Sequence, residues 1–168
     1  MKKGKFYIVF LFLFFLVLFF LLFLFSFKEN YIILKKEKIK VIDGDTFKYE
    51  NNTFRIVGID TPEKGKQKSY ILKKYKFKNE TCLRYYALLA KEELEKLIKN
   101  SKETKIEIVG KDPYNRYLVI LYVDNKDVAE LIVKKGYAFL FEKSLYHKKY
   151  LDEFYYAKNN KLGVWSCY

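Results

Sequence analysis

The sequence is short of histidine, cysteine and arginine, and each shortage narrows the chemistry that the protein can perform. It contains one histidine and two cysteines, too few to build a zinc site easily. Arginine occurs only at Arg55, Arg84 and Arg116, in a chain with 33 lysine and arginine residues. Because lysine is the default cation here, a retained arginine indicates a role that needs its planar guanidinium.

The two cysteines, Cys82 and Cys167, allow two interpretations. In an exported domain they could form one disulfide that closes a long loop, worth roughly 4–5 kcal/mol in the chain-entropy model. Alternatively, both remain unpaired, buried thiols. The sequence leaves this choice open.

Acidic residues are outnumbered by basic ones, and the formal net charge is +13. Such an excess predicts a polyanionic partner or an anionic membrane surface. The alternative is a compositional bias of the source organism, since asparagine, isoleucine, tyrosine and phenylalanine are also heavily used. That alternative explains the lysines better than it explains the arginines.

The N-terminus carries Lys2, Lys3 and Lys5, followed by residues 6–27, which are all apolar or aromatic except Ser26. At about 1.5 Å per residue, a helix over this run spans a hydrocarbon core of roughly 30 Å. Signal-peptide apolar regions are shorter, roughly 7–15 residues, and end at a small-residue cleavage site. Since no such site follows, we predict a membrane anchor over residues 1–27, a linker over 28–36 and a folded domain over 37–168.

We expect this domain to lie outside the cytoplasm, held at the membrane by its N-terminal helix and acting as a monomer. Lysines flank both ends of the apolar run, so their count does not decide the orientation. The basic tip resembles an export signal, which favours this location. Secretion after signal cleavage is the alternative.

Polar and apolar residues alternate in segments that predict five strands, over residues 37–42, 46–49, 53–59, 105–109 and 118–123. Periodicity and capping residues predict three helices, over residues 80–99, between Asp127 and Gly136, and over 150–159. Residues 64–78 hold seven lysines without a clear period, which we interpret as a mobile basic loop. This loop either contacts substrate or is a solvated surface. The order of elements predicts an α+β fold, a small antiparallel barrel with helices at one end.

The most informative segments are residues 41–46 and 54–63, which bring four carboxylates and Arg55 to strand ends and turns. Arg55 and Asp60 are five residues apart and would face opposite sides of a regular strand. A bulge or bend near Gly58 would bring them together. Two unrelated polar turns are the alternative interpretation.

These residue types suit hydrolysis of a phosphodiester, which requires neutralised phosphate oxygens and an activated water. Asp45 and Asp60 can bind a divalent cation, with the carbonyl of Thr61 as a further ligand. Oxygen ligands alone favour Ca²⁺ or Mg²⁺ over softer metals. Glu63 is the candidate general base, and Arg55 the candidate phosphate ligand.

A second arginine is expected where the leaving oxygen gains charge. The turn over residues 112–115 places Arg116 at the start of an apolar strand, with Tyr114 near the sugar or a terminal phosphate. For Arg116 the alternative is a surface ion pair with Asp112.

Four motifs, Ile42-Asp43-Gly44-Asp45-Thr46, Phe54-Arg55 with Asp60-Thr61-Pro62-Glu63, Tyr114-Asn115-Arg116 and Gly163-Val164-Trp165-Ser166, resemble the staphylococcal nuclease (thermonuclease) family. The resemblance covers residues from about 37 to 166. It implies an OB-fold, a five-stranded β-barrel with three helices. It also implies calcium-dependent hydrolysis of DNA and RNA that leaves 3′-phosphate ends.

The resemblance also implies a role for each matching residue. Asp45, Asp60 and the Thr61 carbonyl become Ca²⁺ ligands, and Asp43 a supporting carboxylate beside them. Glu63 becomes the base, Arg55 and Arg116 the phosphate-binding pair, and Tyr114 a contact to the nucleotide. Asn115 stands where the family often has glycine, which suits a left-handed backbone position.

A function of another class is a non-catalytic OB module that is tethered to the membrane and binds single-stranded nucleic acid. A basic groove with aromatic side chains would suffice for such a module. It would not need Asp45, Asp60 and Glu63 together, because their carboxylates repel the nucleic-acid backbone. The sequence therefore favours an endonuclease.

Overall fold

The structure is a computed structural model that describes residues 11–20 and 30–168. It divides into two units, Met1–Asn30 and Tyr31–Tyr168. Residues 11–20 are helical, whereas the rest of the predicted anchor lies outside the described residues. Within the described ranges, no helix has both the length and the apolar character that a membrane crossing requires.

Each of the five predicted segments contains a strand, although a 3-10 helix occupies Lys36–Lys38 and the third segment divides into two strands. Most of these strands join one seven-stranded sheet. Its strands are β1 (Tyr31–Ile33), β2 (Ile39–Asp43), β3 (Thr46–Tyr49), β4 (Asn52–Ile56), β6 (Thr104–Lys111), β7 (Tyr117–Val123) and β8 (Lys126–Asp127). The order is β1-β6-β7-β4-β3-β2, with β8 paired to β7. A separate two-stranded sheet joins β5 (Ile59–Asp60) to β9 (Phe139–Leu140).

The predicted five-stranded antiparallel barrel is confirmed in part: the α+β class and the OB-like arrangement are observed, but the main sheet has seven strands and is not purely antiparallel. The sheet is mixed, because β4 and β7 pair in parallel. Its ladder runs from β1 to β2, and no pairing between these two edge strands occurs in the part of the chain that the structure describes. The short β1 lies in the predicted linker and pairs with β6.

The unit Tyr31–Tyr168 has four α-helices where three were predicted: α1 (Ser69–Tyr75), α2 (Glu80–Asn100), α3 (Val128–Lys134) and α4 (Leu151–Asn159). Helices α2 and α4 begin and end within one residue of their predicted bounds, and α3 lies between Asp127 and Gly136 as predicted. The side chain of Asp127 caps α3 by accepting a hydrogen bond from the Ala129 N–H, and Gly136 follows with a φ of 73°.

The predicted mobile loop is wrong for residues 69–75, which form α1. Ile71 and Tyr75 lie one helical turn apart and are both buried, as is Phe77 just beyond the helix. Because lysines are so frequent in residues 64–78, this short apolar face produces no clear period in the sequence. Helix α1 thus packs on the core through Ile71 and Tyr75, with Leu72 partly buried beside them, and its lysines are exposed.

The core lies between the sheet and the helices, and α2 contributes a stripe of buried residues: Leu83, Ala87, Ala90, Leu94 and Ile98. Tyr75, Phe139 and Phe154 all pack against the ring of Trp165 near the C-terminus. Cys82 and Cys167 form a disulfide that ties α2 to this end of the chain. Of the two interpretations of the cysteines, the structure therefore has the disulfide.

Candidate active site

A tight turn between β2 and β3 positions the first pair of carboxylates. A Cβ atom at Gly44 would lie 2.6 Å from the Cβ of Ala90 on α2, so only glycine allows this close approach. Asp45 follows directly, and its Oδ2 accepts a hydrogen bond from the Thr61 N–H at 2.9 Å. The turn therefore sets Asp45 beside Thr61, although 16 residues separate them in sequence.

The bend predicted near Gly58 is confirmed. Gly58 has a φ of 80°, in the left-handed region, and it separates β4 from β5. Because of this break, Arg55 and Asp60 meet on one side, with Nη2 of Arg55 2.7 Å from Oδ1 of Asp60. The carbonyl of Gly58 also accepts a hydrogen bond from the Phe141 N–H at 2.9 Å, which holds Phe141 near the arginine.

Arg55 joins the two carboxylates predicted to bind metal. Its Nη1 contacts Oδ1 of Asp45 at 2.7 Å, while its Nη2 contacts Asp60. The side chains of Arg55, Asp45 and Asp60 are only 13%, 3% and 1% exposed, respectively. Burial alone would lower the pKa of Arg55, but the charges of Asp45 and Asp60 outweigh it and raise the pKa.

Two residues missed by the sequence analysis, Lys68 and Tyr70, reach this cluster from the start of α1. Nζ of Lys68 lies 2.6 Å from Oδ1 of Asp60 and 2.8 Å from Oε1 of Glu63. The hydroxyl of Tyr70 donates a short hydrogen bond to Oδ2 of Asp60. Burial and the Asp60 charge raise the pKa of Tyr70, so its hydroxyl keeps the proton that it donates.

The side chains of Gln67 and Glu63 differ in their surroundings. Gln67 is buried and fixes the backbone of Glu63, accepting a hydrogen bond from its N–H at 3.1 Å. The carboxylate of Glu63 is 42% exposed and touches only Lys68 among the described ion pairs. Glu63 is thus held at its backbone while its carboxylate faces the cleft.

Arg116 lies at the start of β7, as predicted, after a turn organised by Asp112. Oδ1 of Asp112 accepts hydrogen bonds from the backbone of Tyr114 and of Arg116, at 2.9 and 3.0 Å. Oδ2 of Asp112 lies 2.7 Å from the Arg116 guanidinium, so the ion pair considered above is present. Asn115 has the left-handed φ of 62° that its place in the turn requires. Tyr114 is 82% exposed, with the Arg116 guanidinium 5.6 Å from its ring centre.

All eight residues predicted from the sequence line one cleft of ≈ 490 Å³: Asp43, Asp45, Arg55, Asp60, Thr61, Glu63, Tyr114 and Arg116. Lys68, Tyr70 and Phe141 complete its lining. Four carboxylates face three cationic side chains there, so the lining carries a formal charge of −1 when all are ionised. Burial, followed by the charge of Asp45, raises the pKa of Asp43 to about 6.

The cleft offers oxygen atoms of the kind that hard cations bind, but these oxygens do not form a dense cluster of ligands. Among residues 11–20 and 30–168, no three histidine, cysteine or acidic side chains are grouped as a metal site. Asp45 and Asp60 provide buried carboxylates, and both meet the same guanidinium. Their positive counter-charges come from Arg55 and, for Asp60, also from Lys68.

Comparison with known proteins agrees with this geometry. The family described as staphylococcal nuclease homologue matches residues 53–167. The chain belongs to the staphylococcal nuclease family. The resemblance drawn from the four motifs is thereby confirmed, and the match takes in Arg55, Asp60, Glu63 and Arg116.

Among relatives of this nuclease-family chain are two proteins of Bacillus subtilis (strain 168). Endonuclease YncB is 32% identical over 141 residues, which cover 76% of the chain and 59% of YncB. SPbeta prophage-derived endonuclease YokF is 34% identical over 141 residues, which cover 76% of the chain and 42% of YokF. The chain thus spans about half the length of these relatives.

Proposed function

We propose that this protein is a calcium-dependent endonuclease that hydrolyses DNA and RNA with little sequence preference, leaving 3′-phosphate ends. The observation that carries the proposal is the gathering of Asp45, Arg55, Asp60, Glu63 and Arg116 in one cleft. Family membership and two relatives named as endonucleases support it. A binding module would have no use for three carboxylates where an anionic backbone must lie.

The donor set fits a divalent cation of the hard class. Asp45, Asp60 and the carbonyl of Thr61 would hold it, since they offer only oxygen ligands. When bound, the ion stabilises the charge that develops on the phosphate oxygens and lowers the pKa of a bound water. A divalent ion also changes the formal charge of the lining from −1 to +1, which complements one phosphodiester anion.

In the proposed reaction, water attacks phosphorus and the bond to the 5′ oxygen breaks. The carboxylate of Glu63 accepts the proton of the attacking water. Arg116 donates hydrogen bonds to the phosphate, as does Arg55 once it has released one of its carboxylate contacts. The departing 5′ oxygen takes a proton from solvent, and the cut strand retains the phosphate on its 3′ oxygen.

We also propose that the folded unit works outside the cytoplasm as a monomer, anchored by the apolar segment or secreted after its removal. The Cys82–Cys167 disulfide supports an oxidising location. The apolar run of residues 6–27 supports contact with a membrane.

The test is to incubate the full-length chain with single-stranded DNA and with RNA, in Ca²⁺ and in excess chelator. We expect both substrates to be cut in Ca²⁺ only, and end-group analysis to show 3′-phosphates. Fragments with 3′-hydroxyl ends, or cleavage in chelator, would contradict the proposed chemistry. Tight binding without cleavage would instead identify the non-catalytic module.

A further inference from the structure

A second, smaller groove adjoins the active-site cleft on the side of α1. It measures ≈ 250 Å³ and is lined by Tyr70, Lys74, Leu140, Phe141, Glu142 and Lys143. Tyr70 and Phe141 line both the groove and the cleft, so the two spaces share a wall. The groove therefore lies directly beside the cleft.

Both shared aromatic residues are fixed by contacts to the site. The hydroxyl of Tyr70 donates to Asp60, and the backbone N–H of Phe141 donates to the carbonyl of Gly58. An ion pair between Lys74 on α1 and Glu142 after β9 connects the two sides of the groove. The groove thus lies between α1, which was not predicted from the sequence, and residues 140–143.

We propose that this groove binds the stretch of single-stranded nucleic acid next to the scissile phosphodiester. The inference rests on the proposed function, because it assumes that the neighbouring cleft holds the phosphodiester. Tyr70 is 45% exposed and Phe141 half-buried, so each offers part of a ring for a base to stack on. Stacking of this kind accepts any base, as an enzyme with little sequence preference requires.

The charge of the groove also suits a nucleic-acid backbone. Glu142 neutralises Lys74, whereas Lys143 is exposed and enters no ion pair among the described residues. The groove therefore presents one uncompensated positive charge beside two aromatic rings. Each phosphate neutralised by such a lysine releases counterions, which makes binding weaken as salt increases.

A basic cleft elsewhere on the domain provides a matched control. It measures ≈ 570 Å³, lies between residues 36–41 and α2, and shares no lining residue with the active-site cleft. Lys40 in this cleft is exposed and, like Lys143, enters no ion pair within the described ranges. Lys143→Glu and Lys40→Glu change the net charge equally, at two different places.

The experiment measures the affinity of the full-length chain for a labelled single-stranded 12-mer by fluorescence anisotropy in chelator, over a range of salt. We expect Lys143→Glu to weaken binding roughly 3- to 10-fold at low salt and to flatten the salt dependence. Lys40→Glu should stay within about two-fold of the unmodified chain. Equal losses in the two variants, or no loss in either, would overturn the proposal.

Cleavage in Ca²⁺ separates this proposal from the proposed function. We expect Lys143→Glu to lower the ratio of kcat/KM for the 12-mer to kcat/KM for a dinucleotide, which is too short to fill both spaces. Lys40→Glu should leave that ratio unchanged. An unmodified chain that cuts neither substrate refutes the nuclease, while the anisotropy result still decides whether the groove binds a strand.

Discussion

Two walls of the active-site cleft differ in burial and in the structural elements that position their side chains. The inner wall, formed by Asp45, Arg55 and Asp60, is almost fully buried, and each of its charges is paired. The outer wall, formed by Glu63, Tyr114 and Arg116, is much more exposed and rests on a loop and a turn. We infer that the inner wall supports both fold and chemistry, whereas the outer wall acts mainly on the substrate.

Replacing Arg55 should have the largest effect, because it should lower both the stability of the fold and the rate of turnover. Arg55→Ala leaves two buried carboxylates without their shared partner, which should lower the free energy of unfolding by about 3–5 kcal/mol. Arg55→Lys should also abolish most turnover, since an ammonium cannot reproduce two parallel contacts. Urea denaturation and turnover at saturating substrate measure the two effects.

Arg84→Lys is the matched control for Arg55→Lys. Arg84 is a more exposed arginine on α2, 4.0 Å from Glu80, and it does not line the cleft. We expect its replacement to change neither stability nor turnover appreciably. Full activity in Arg55→Lys would contradict the role assigned to the inner wall.

Glu63→Gln should reduce turnover on the order of 10²–10⁴-fold, because the variant lacks the proposed proton acceptor. Its free energy of unfolding should change by less than about 0.5 kcal/mol, since the carboxylate is half-exposed. Ca²⁺ affinity should remain largely intact, because Glu63 is not assigned as a ligand. A large loss of stability in Glu63→Gln would show that the outer wall also supports the fold, and the proposed difference between the two walls would be wrong.

Arg116→Ala should lower kcat roughly 10²–10³-fold by removing a donor to the phosphate. The turn should survive, because Asp112 still accepts the backbone hydrogen bonds of Tyr114 and of residue 116. Kinetics combined with thermal unfolding test this expectation. An unfolded or strongly destabilised variant would show that the outer wall is also structural.

Lys68→Gln should have the smallest effect of these substitutions, and it should strengthen Ca²⁺ binding where the others impair function. Lys68 neutralises Asp60 and Glu63, so its removal leaves more negative charge for a bound cation. We expect Ca²⁺ affinity, measured by calorimetry without substrate, to increase roughly 3- to 10-fold. Weaker Ca²⁺ binding would indicate that Lys68 instead holds Asp60 in the geometry that the ion needs.

The sequence predicted the inner wall better than it predicted α1, for a physical reason. Gly44 and Gly58 mark the turn and the bend that bring Asp45, Arg55 and Asp60 together, and both constraints are local. Lys68 reaches Asp60 only because α1 packs through Ile71 and Tyr75, a face too short to show a period among lysines.

The edge strand β1 was likewise not predicted from the sequence. The strand β1 has three residues and depends on pairing with β6, so its own residues show little alternation. In contrast, α2 spans 21 residues with a regular apolar stripe, and its bounds were predicted closely. Length and period made the helix predictable, whereas the strand depends on a distant partner: Ile32 pairs with Ile106, 74 positions further along the chain.

The central claim is that Asp45 and Asp60 together hold one divalent cation. Calorimetric titration of the full-length chain with Ca²⁺, repeated on Asp45→Asn and on Asp60→Asn, tests it most directly. We expect one ion per chain in the unmodified protein and loss of that binding in both variants. Undiminished Ca²⁺ binding in either variant would contradict the account.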